Sequence, residues 1–293
     1  MGAAFHRAAH QVLEHGSIFS DPLALRILGV DAEGAVRDAG KDPSQRRLRL
    51  FIAVRTRFAE DALEVAVARG VRQVVLLGAG LDTYAYRASL GGALRIYEVD
   101  HPATQAWKRQ RLDEAAIQIP SSLTFAPIDF ERQTLEEGLI AAGFDPTEQA
   151  FFTWLGVVPY LTERAVLSTL GFISNLPGGA HVVFDYFNPP AAGPDQGERA
   201  VAHEALAARV ASVGESFKNH FETDELQSKL SALGFRTIED IGPASIRERY
   251  FAGRGGSAPN RGGHVVHAAT LWPFGQMGVN DTPDGLPGTA LDG

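Results

Sequence analysis

The amino-acid sequence predicts an α/β fold, in which strands of a mostly parallel sheet alternate with helices on both of its faces. Short apolar runs of strand length recur between segments with the helical periodicity of apolar residues. The runs are continuous rather than alternating, as in strands that are buried on both faces. Residues 71–100 join two such runs through a glycine turn, which indicates a nucleotide-binding unit.

The first predicted strand, residues 74–77, leads directly into this glycine turn. Gly78, Ala79 and Gly80 form the turn. Because glycine carries no Cβ, the backbone can turn sharply here and come close to a ligand. The turn therefore indicates a ligand site at the end of the strand.

The second predicted strand, residues 94–99, brings acids to the same place. Glu98 and Asp100 lie about 20 residues beyond the first glycine, where an acid commonly holds ribose hydroxyl groups. A dinucleotide-binding turn, G-x-G-x-x-G, has a third glycine where this chain has Thr83. That glycine serves to seat a diphosphate. S-adenosylmethionine has no phosphate, so Thr83 favours it over NAD.

The composition is that of a globular protein, with 293 residues of which 45% are hydrophobic. A formal net charge of −8 and the lack of a basic stripe argue against a nucleic-acid partner. No apolar run approaches the ~18 residues of a membrane span, and no signal peptide is evident, so we expect a cytoplasmic protein without a membrane partner. The chain has no cysteine, which excludes disulfides, thiolate metal sites and a cysteine nucleophile.

Helices and strands alternate along the rest of the chain. Residues 48–69 have helical periodicity and contain Arg55 and Arg57. A helix is predicted from Pro102, with Lys108, Arg109 and Arg111 on its solvent face. Further strands are predicted at 123–129, 150–156, 180–186, 235–241 and 263–271. The last two have no long helix between them, so we expect an antiparallel pair at the sheet edge.

We expect a single domain over residues 1–272, with residues 1–47 as an N-terminal helical cap. Residues 188–221 contain no predicted strand and follow the end of one, so we expect a helical insertion that covers the substrate as a lid. Residues 273–293 have little to bury and are expected to be poorly ordered. The sequence contains no indication of the oligomeric state.

Three polar residues of the N-terminal cap recur at intervals of four. His6, His10 and Glu14 therefore share one helical face, and such a spacing could hold a metal ion. Alanines surround them, however, and no further acid is evident nearby. We interpret them as the polar face of an amphipathic helix and predict no metal site.

A series of short motifs follows one another along the chain: FSDPLALRILG, AVRTRFAEDAL, VVLLGAGLDTYAYR, YEVDHP, IDF, GFDP, WLGVVPYLT and RYFAGR. In this order they resemble the leucine carboxyl methyltransferase-like family of class I S-adenosylmethionine-dependent methyltransferases. They extend roughly over residues 5–271. The resemblance implies a Rossmann-like sheet of seven strands with an antiparallel last hairpin, and S-adenosylmethionine as the cofactor.

The resemblance also implies roles for individual residues in cofactor binding. It assigns Arg55 to the carboxylate of the methionine moiety, a charged and geometrically matched contact that lysine could not copy. The turn formed by Gly78, Ala79 and Gly80 is expected to pass beneath the same moiety.

The nucleoside part of the cofactor is assigned to the ends of the next two strands. By the same resemblance, Asp100 or Glu98 is expected to hold the ribose hydroxyls. Asp129 and Phe130 are expected to frame the adenine ring.

The chain departs from the family pattern at the end of the fourth strand. Many family members have Glu-Gly there, whereas this chain has Leu155-Gly156, so a carboxylate near the sulfonium or amino end of the cofactor is missing. Leu155 is still expected at the cofactor site. Tyr160 is retained within its motif and is expected either to line the substrate pocket or to belong to the core.

The acceptor predicted for the methyl group is a carboxylate, or a hydroxyl, of a small molecule. A carboxylate is ionised at pH 7 and needs no general base, which agrees with the lack of a Ser-His-Asp or paired-carboxylate pattern. Arg87 is expected to hold an anionic substrate, with Tyr86 and Arg249 as further candidates. An NAD(P)-dependent oxidoreductase and a non-catalytic cofactor-binding module remain alternatives.

Overall fold

Seven strands form one sheet at the centre of the structure, a computed structural model that describes residues 2–29, 32–40, 42, 45–88, 94–130, 132–189, 218–252 and 262–270. The strands are β1 (Gln73–Leu77), β2 (Arg95–Asp100), β3 (Leu123–Pro127), β4 (Ala150–Trp154), β5 (Ala180–Phe187), β6 (Thr237–Ile241) and β7 (Gly263–Ala269). Their order across the sheet is β3-β2-β1-β4-β5-β7-β6. The predicted α/β class and the number of strands are confirmed.

The sheet reverses its strand order at its centre and its strand direction near one edge. β1 pairs in parallel with β2 on one side and with β4 on the other, so the chain order reverses between β1 and β4. β7 is antiparallel to both β5 and β6, which confirms the antiparallel closing pair. Within that pair β7 lies inside the sheet and β6 forms the edge.

Helices cover both faces of the sheet. They are α1 (Gly2–Leu13), α2 (Ala24–Leu28), α3 (Ala32–Ala39), α4 (Arg46–Ala68), α5 (Tyr84–Arg87), α6 (Pro102–Glu114), α7 (Leu135–Ala141), α8 (Glu163–Ser174), α9 (Thr223–Ala232) and α10 (Pro243–Tyr250). On one face Val75 and Leu77 of β1 join a cluster with α7, α8 and α9. On the other face Val74 and Leu76 pack with α4. Because both faces are covered, every residue of β1 is buried, which explains its uninterrupted apolar sequence.

The N-terminal helix α1 packs against α4, and this contact overturns one prediction. His6, His10 and Glu14 do not form a solvent-exposed face, because His10 is fully buried and His6 nearly so. Glu14 accepts from Nε and Nη2 of Arg49 on α4 at 2.8 and 2.7 Å. His10 accepts from the backbone N–H of Ile18. Among the described residues, no group of three or more histidines and acids is arranged to hold a metal ion.

Two predicted segments lie mainly or wholly outside the described residues. Of the insertion expected at 188–221, the structure describes 188–189 and 218–221 at its two ends. The tail expected at 273–293 lies outside them altogether. Within the described part of the chain, no helix is both long enough and apolar enough to cross a lipid bilayer.

Candidate functional site

The predicted site residues lie along one edge of the sheet, namely the edge formed by the carboxyl ends of the parallel strands β1 to β4. The turn at 78–80 follows β1, and Asp100 ends β2. Asp129 and Phe130 follow β3, and Leu155 follows β4. Ligands of open α/β sheets bind outside the carboxyl ends of the strands, at the point where the strand order reverses. In this sheet that point lies between β1 and β4.

The glycine turn has a backbone that only glycine adopts readily. Gly78 and Gly80 have φ values of 65° and 45°. The N–H groups of Gly78 and Ala79 both donate to the carbonyl of Val99, at 2.8 and 3.1 Å, which ties the turn to β2. A Cβ on Gly78 would lie 2.5 Å from Cγ2 of Val157, whereas a Cβ on Gly80 would meet no described atom closer than 3.9 Å. No described side chain therefore crowds the backbone at Gly80.

Asp100 connects β2 to this turn through one of its two carboxylate oxygens. Oδ2 accepts from the N–H of Gly80 at 2.6 Å, and Oδ1 accepts from the N–H of His101 at 2.7 Å. The carboxylate is only partly buried. Because each oxygen has a second lone pair, the carboxylate can also accept from ligand hydroxyls.

Glu98, two residues earlier, is buried beneath the site. It is 1% exposed, and its Oε2 lies 2.7 Å from Nζ of Lys108. Burial raises the pKa of Glu98, and the attraction of Lys108 opposes that rise only in part. Of the two acids expected to hold the ribose hydroxyls, Asp100 is thus the more exposed, whereas Glu98 is paired with Lys108. The structure also corrects the placement of Lys108 on the solvent face of α6, since this side chain is equally buried against Glu98.

Arg55 comes from the middle of α4 and is buried, which is rare for arginine. Its Nη1 donates to Oδ2 of Asp185 on β5 at 2.7 Å. Oδ1 of Asp185 in turn accepts from the N–H of Gly156 at 2.6 Å. A Cβ on Gly156 would lie 2.6 Å from Nη2 of Arg55, so the guanidinium lies against the backbone that follows β4. Nε of Arg55 is buried and has no hydrogen-bond partner among the described residues.

Asp129 and Phe130 occupy the loop after β3. The backbone carbonyl of Asp129 accepts from the N–H groups of Arg132 and Gln133, which fixes the loop. Phe130 is 64% exposed, although phenylalanine is usually buried. Its ring thus offers an apolar surface to a planar ligand at this edge.

The residues expected to hold an anionic substrate are engaged with protein acids. Arg87 donates through both terminal nitrogens to Glu60 and through Nε to the hydroxyl of Thr83. Tyr86 donates to Glu98 at 3.3 Å, and Arg249 donates to Glu239 at 2.9 Å. Tyr160 ends a 3₁₀ turn (Val158–Tyr160) after β4 and is partly exposed.

A buried polar network that the sequence did not reveal connects the residues just after the glycine turn to the N-terminal segment. Arg7 on α1 donates to Oδ2 of Asp82 at 3.0 Å and to the carbonyl of Leu81 at 2.5 Å. Thr83 is fully buried and donates to Oδ2 of Asp21 at 2.6 Å. Thr83, which stands in place of a third glycine, therefore fastens the turn to the N-terminal segment. In the sequence, Asp21 is part of the motif FSDPLALRILG, which gives no sign of this contact.

Comparison with known proteins identifies relatives of this chain. A family model described as leucine carboxyl methyltransferase matches residues 1–174. YktD of Bacillus subtilis (strain 168), which carries the provisional name of an S-adenosyl-L-methionine-dependent methyltransferase, is 34% identical over 202 residues, or 68% of this chain and 66% of YktD. SCO7813 of Streptomyces coelicolor has the same provisional name and is 38% identical over 175 residues, or 57% and 60% of the two chains.

Among solved structures, a DUF574 family protein from Streptomyces avermitilis MA-4680 has a similar fold. The TM-score is 0.57 over 92% of this chain and 97% of that one, at 14% sequence identity. At such an identity the likeness concerns the fold alone. The chain spans about two thirds of the length of YktD and somewhat less of SCO7813.

Proposed function

Because the chain belongs to the leucine carboxyl methyltransferase family, as its motifs predicted, we propose that it is an S-adenosylmethionine-dependent methyltransferase that acts on a small molecule. The observation that carries the proposal is the buried guanidinium of Arg55, which lies at the same sheet edge as the glycine turn and Asp100. The guanidinium can bind the carboxylate of the cofactor, and the glycine turn leaves room for its methionine chain. Asp100 can accept hydrogen bonds from its ribose hydroxyls.

The residues at the edge fit the cofactor. Nε of Arg55 is a buried donor that a ligand carboxylate would satisfy, and such a charged hydrogen bond is among the stronger ones. The space beside Gly80 admits the methionine moiety, Asp100 is placed to accept from ribose hydroxyls, and Phe130 offers its ring to adenine. Bound there, S-adenosylmethionine supplies a methyl group already activated by a positive sulfur. The protein then has to align the acceptor and exclude water.

We further propose that the acceptor is a carboxylate, with a hydroxyl as the second choice. No histidine is among the described residues that we assign to the site, and a carboxylate needs no general base because it is ionised at pH 7. Phe51 lies one helical turn before Arg55 on α4 and therefore on the same face. Phe51 and Phe187 contact each other at 5.7 Å between ring centroids, and Leu155 joins the same apolar cluster as Phe51. An apolar site favours a transition state in which opposite charges neutralise each other.

The dinucleotide alternative is disfavoured by the polar groups after the glycine turn. A diphosphate binds free N–H groups at a helix N-terminus. Here the N–H of Tyr84 donates to Oδ1 of Asp82 at 2.7 Å, and the buried carboxylate of Asp21 binds Thr83 beside it. The N–H of Tyr84 is therefore already bound by a protein acid and is not free for a diphosphate.

Calorimetry with S-adenosylmethionine and with NAD tests the cofactor assignment. We expect micromolar binding of S-adenosylmethionine, about −8 kcal/mol, and no binding of NAD. The absence of a heat signal at millimolar S-adenosylmethionine would refute the proposal. A turnover assay with a library of carboxylates and the matching alcohols then tests the reaction. Methyl ester formation supports it, whereas cofactor binding without turnover of either set favours a non-catalytic module.

A further inference from the structure

Asp185 is a fully buried carboxylate at the candidate site to which neither the motifs nor the proposed reaction assigns a role. Its two oxygens accept from different elements of the fold. Oδ2 accepts from Nη1 of Arg55 on α4 at 2.7 Å, and Oδ1 accepts from the N–H of Gly156 after β4 at 2.6 Å. The side chain is 0% exposed. Asp185 therefore fixes Arg55 and the end of β4 relative to each other.

The position of Asp185 in the sheet relates it to the departure at Leu155. Trp154 on β4 pairs in parallel register with Phe184 on β5, so Leu155 and Asp185 follow side by side. Paired neighbours in a sheet project to the same face. Leu155 and Val183, two residues before Asp185, both belong to the apolar cluster under α4. A carboxylate is thus present one strand away from the place where many family members have glutamate.

We propose that Asp185 is a positioning residue for the amino-acid end of the cofactor. It holds the guanidinium of Arg55 by Nη1 and leaves Nε, without a partner among the described residues, as the donor for the ligand carboxylate. It also supplies from β5 the negative charge that Leu155 removes from β4. This inference rests on the proposed function and names a residue that acts on the ligand through Arg55.

The direction of the effect follows from the charges involved. The amino-acid end of the ligand carries one carboxylate and one ammonium, so its net charge is zero and the charge of Asp185 exerts little net repulsion on it. Loss of the charge of Asp185 therefore does not raise the affinity for the ligand by relieving a repulsion. It lowers the affinity, because Arg55 without its partner regains rotamer freedom and is no longer held in the binding orientation.

Calorimetry with two ligands measures this role. S-adenosylhomocysteine contains the amino-acid end, whereas 5′-methylthioadenosine lacks it and keeps the nucleoside. We expect Asp185→Asn to weaken S-adenosylhomocysteine at least about tenfold, which corresponds to about 1.4 kcal/mol, and methylthioadenosine less than about twofold. In the double variant Arg55→Ala/Asp185→Asn the affinity should equal that of Arg55→Ala alone, because both residues act on the same contact.

Asp240→Asn provides a matched control. Asp240 is a buried acid on β6 that accepts from Tyr186 at 2.8 Å and lies 2.7 Å from Nδ1 of His264, outside the residues assigned to the site. This variant should lower stability without changing the ratio of the two affinities. Equal weakening of both ligands by Asp185→Asn, or no weakening of either, would overturn the proposal. Failure of the unaltered chain to bind either ligand would instead refute the proposed function.

A second variant covers the case in which Asp185→Asn does not fold. Leu155→Glu in the Asp185→Asn background returns a carboxylate to the neighbouring strand, beside Gly156. We expect this chain to fold and to recover S-adenosylhomocysteine binding to within about threefold of the unaltered protein, about 0.7 kcal/mol. If neither Asp185→Asn nor Asp185→Asn/Leu155→Glu folds, or if Asp185→Asn/Leu155→Glu binds S-adenosylhomocysteine no better than Arg55→Ala does, Asp185 serves stability alone and the proposal is wrong.

Discussion

Two arginines that lie two positions apart on α4 allow a sharp test of the cofactor site. The side chain of Arg55 is 8% exposed and pairs with Asp185. The side chain of Arg57 is 52% exposed and pairs with Asp61 at 2.7 Å, one helical turn further on. Replacing either with alanine removes one positive charge from nearly the same place. Any difference between the variants therefore reflects the surroundings of each side chain rather than net charge.

The expected losses differ in both affinity and stability. Arg55→Ala leaves the ligand carboxylate without its charged partner, which should cost about 2 to 4 kcal/mol of binding, or roughly 30- to 1,000-fold in affinity. It also leaves Asp185 buried without a counter-ion, so the free energy of unfolding should fall by about 3 to 5 kcal/mol. Arg57→Ala should cost well under about 1 kcal/mol in either quantity, because its ion pair is exposed.

Calorimetry with S-adenosylmethionine measures the affinity, and urea denaturation measures the stability at the same temperature. Arg55→Lys should recover part of the affinity, since a point charge replaces a planar fork. Equal losses of affinity in folded Arg55→Ala and Arg57→Ala would refute the assignment of the carboxylate to Arg55. A destabilised Arg55→Ala that binds the ligand normally would show that Arg55 serves the fold alone.

Three further outcomes follow from other parts of the structure. Lys108→Met leaves the buried carboxylate of Glu98 without its counter-ion, so the urea-derived free energy of unfolding should fall by about 3 to 5 kcal/mol and largely recover in Lys108→Met/Glu98→Leu. Burial lowers the pKa of both His181 and His267, which lie 3.2 Å apart, to about 4. The unfolded chain, with histidine pKa values near about 6.5, therefore binds more protons, so urea midpoints should fall as the pH drops from 6.5 towards 4, and fall less in a His181→Gln/His267→Gln variant. Gly80→Ala places a methyl group in open space, so calorimetry should show weaker S-adenosylmethionine binding, while urea denaturation should show a stability cost of about 1 kcal/mol for the left-handed backbone; unchanged affinity would mean that the ligand does not pass there.

The sheet and its order of elements could be predicted because the relevant signals are local. The apolar run of β1, the glycine turn after it and the acids at the end of β2 each fit within a few residues of the chain. The reversed β7 could be predicted because no long helix separates it from β6. Each of these features depends on a neighbour that is close in sequence.

The errors arose where a polar side chain finds its partner in a different element. Lys108 and His10 were assigned to solvent-exposed faces because charged and polar residues usually lie there. In the structure Lys108 pairs with Glu98 on β2, and Glu14 beside His10 pairs with Arg49, which is 35 residues away. The local periodicity of a sequence cannot predict such pairs between different elements.

The same limit applies to the parts of the candidate site that the sequence did not reveal. Asp185 lies 130 residues from Arg55 in the chain, and Arg7 lies 75 residues from Asp82. Motifs predicted the groups that we expect to touch a ligand, because their types and spacing relate to the ligand itself. The residues that hold those groups in place depend on tertiary contacts, which only the fold provides.

The internal position of β7 has a consequence for shortened forms of this protein. A chain that ends before Gly263 would lose the strand that separates β5 from β6, rather than one at the border of the sheet. β5 has eight residues, six of them buried, and would then present a row of unpaired backbone groups on a long and mostly apolar strand. Such an open edge is a template for pairing with another chain. Resistance to aggregation in this fold therefore depends on the strand that is made last among those described.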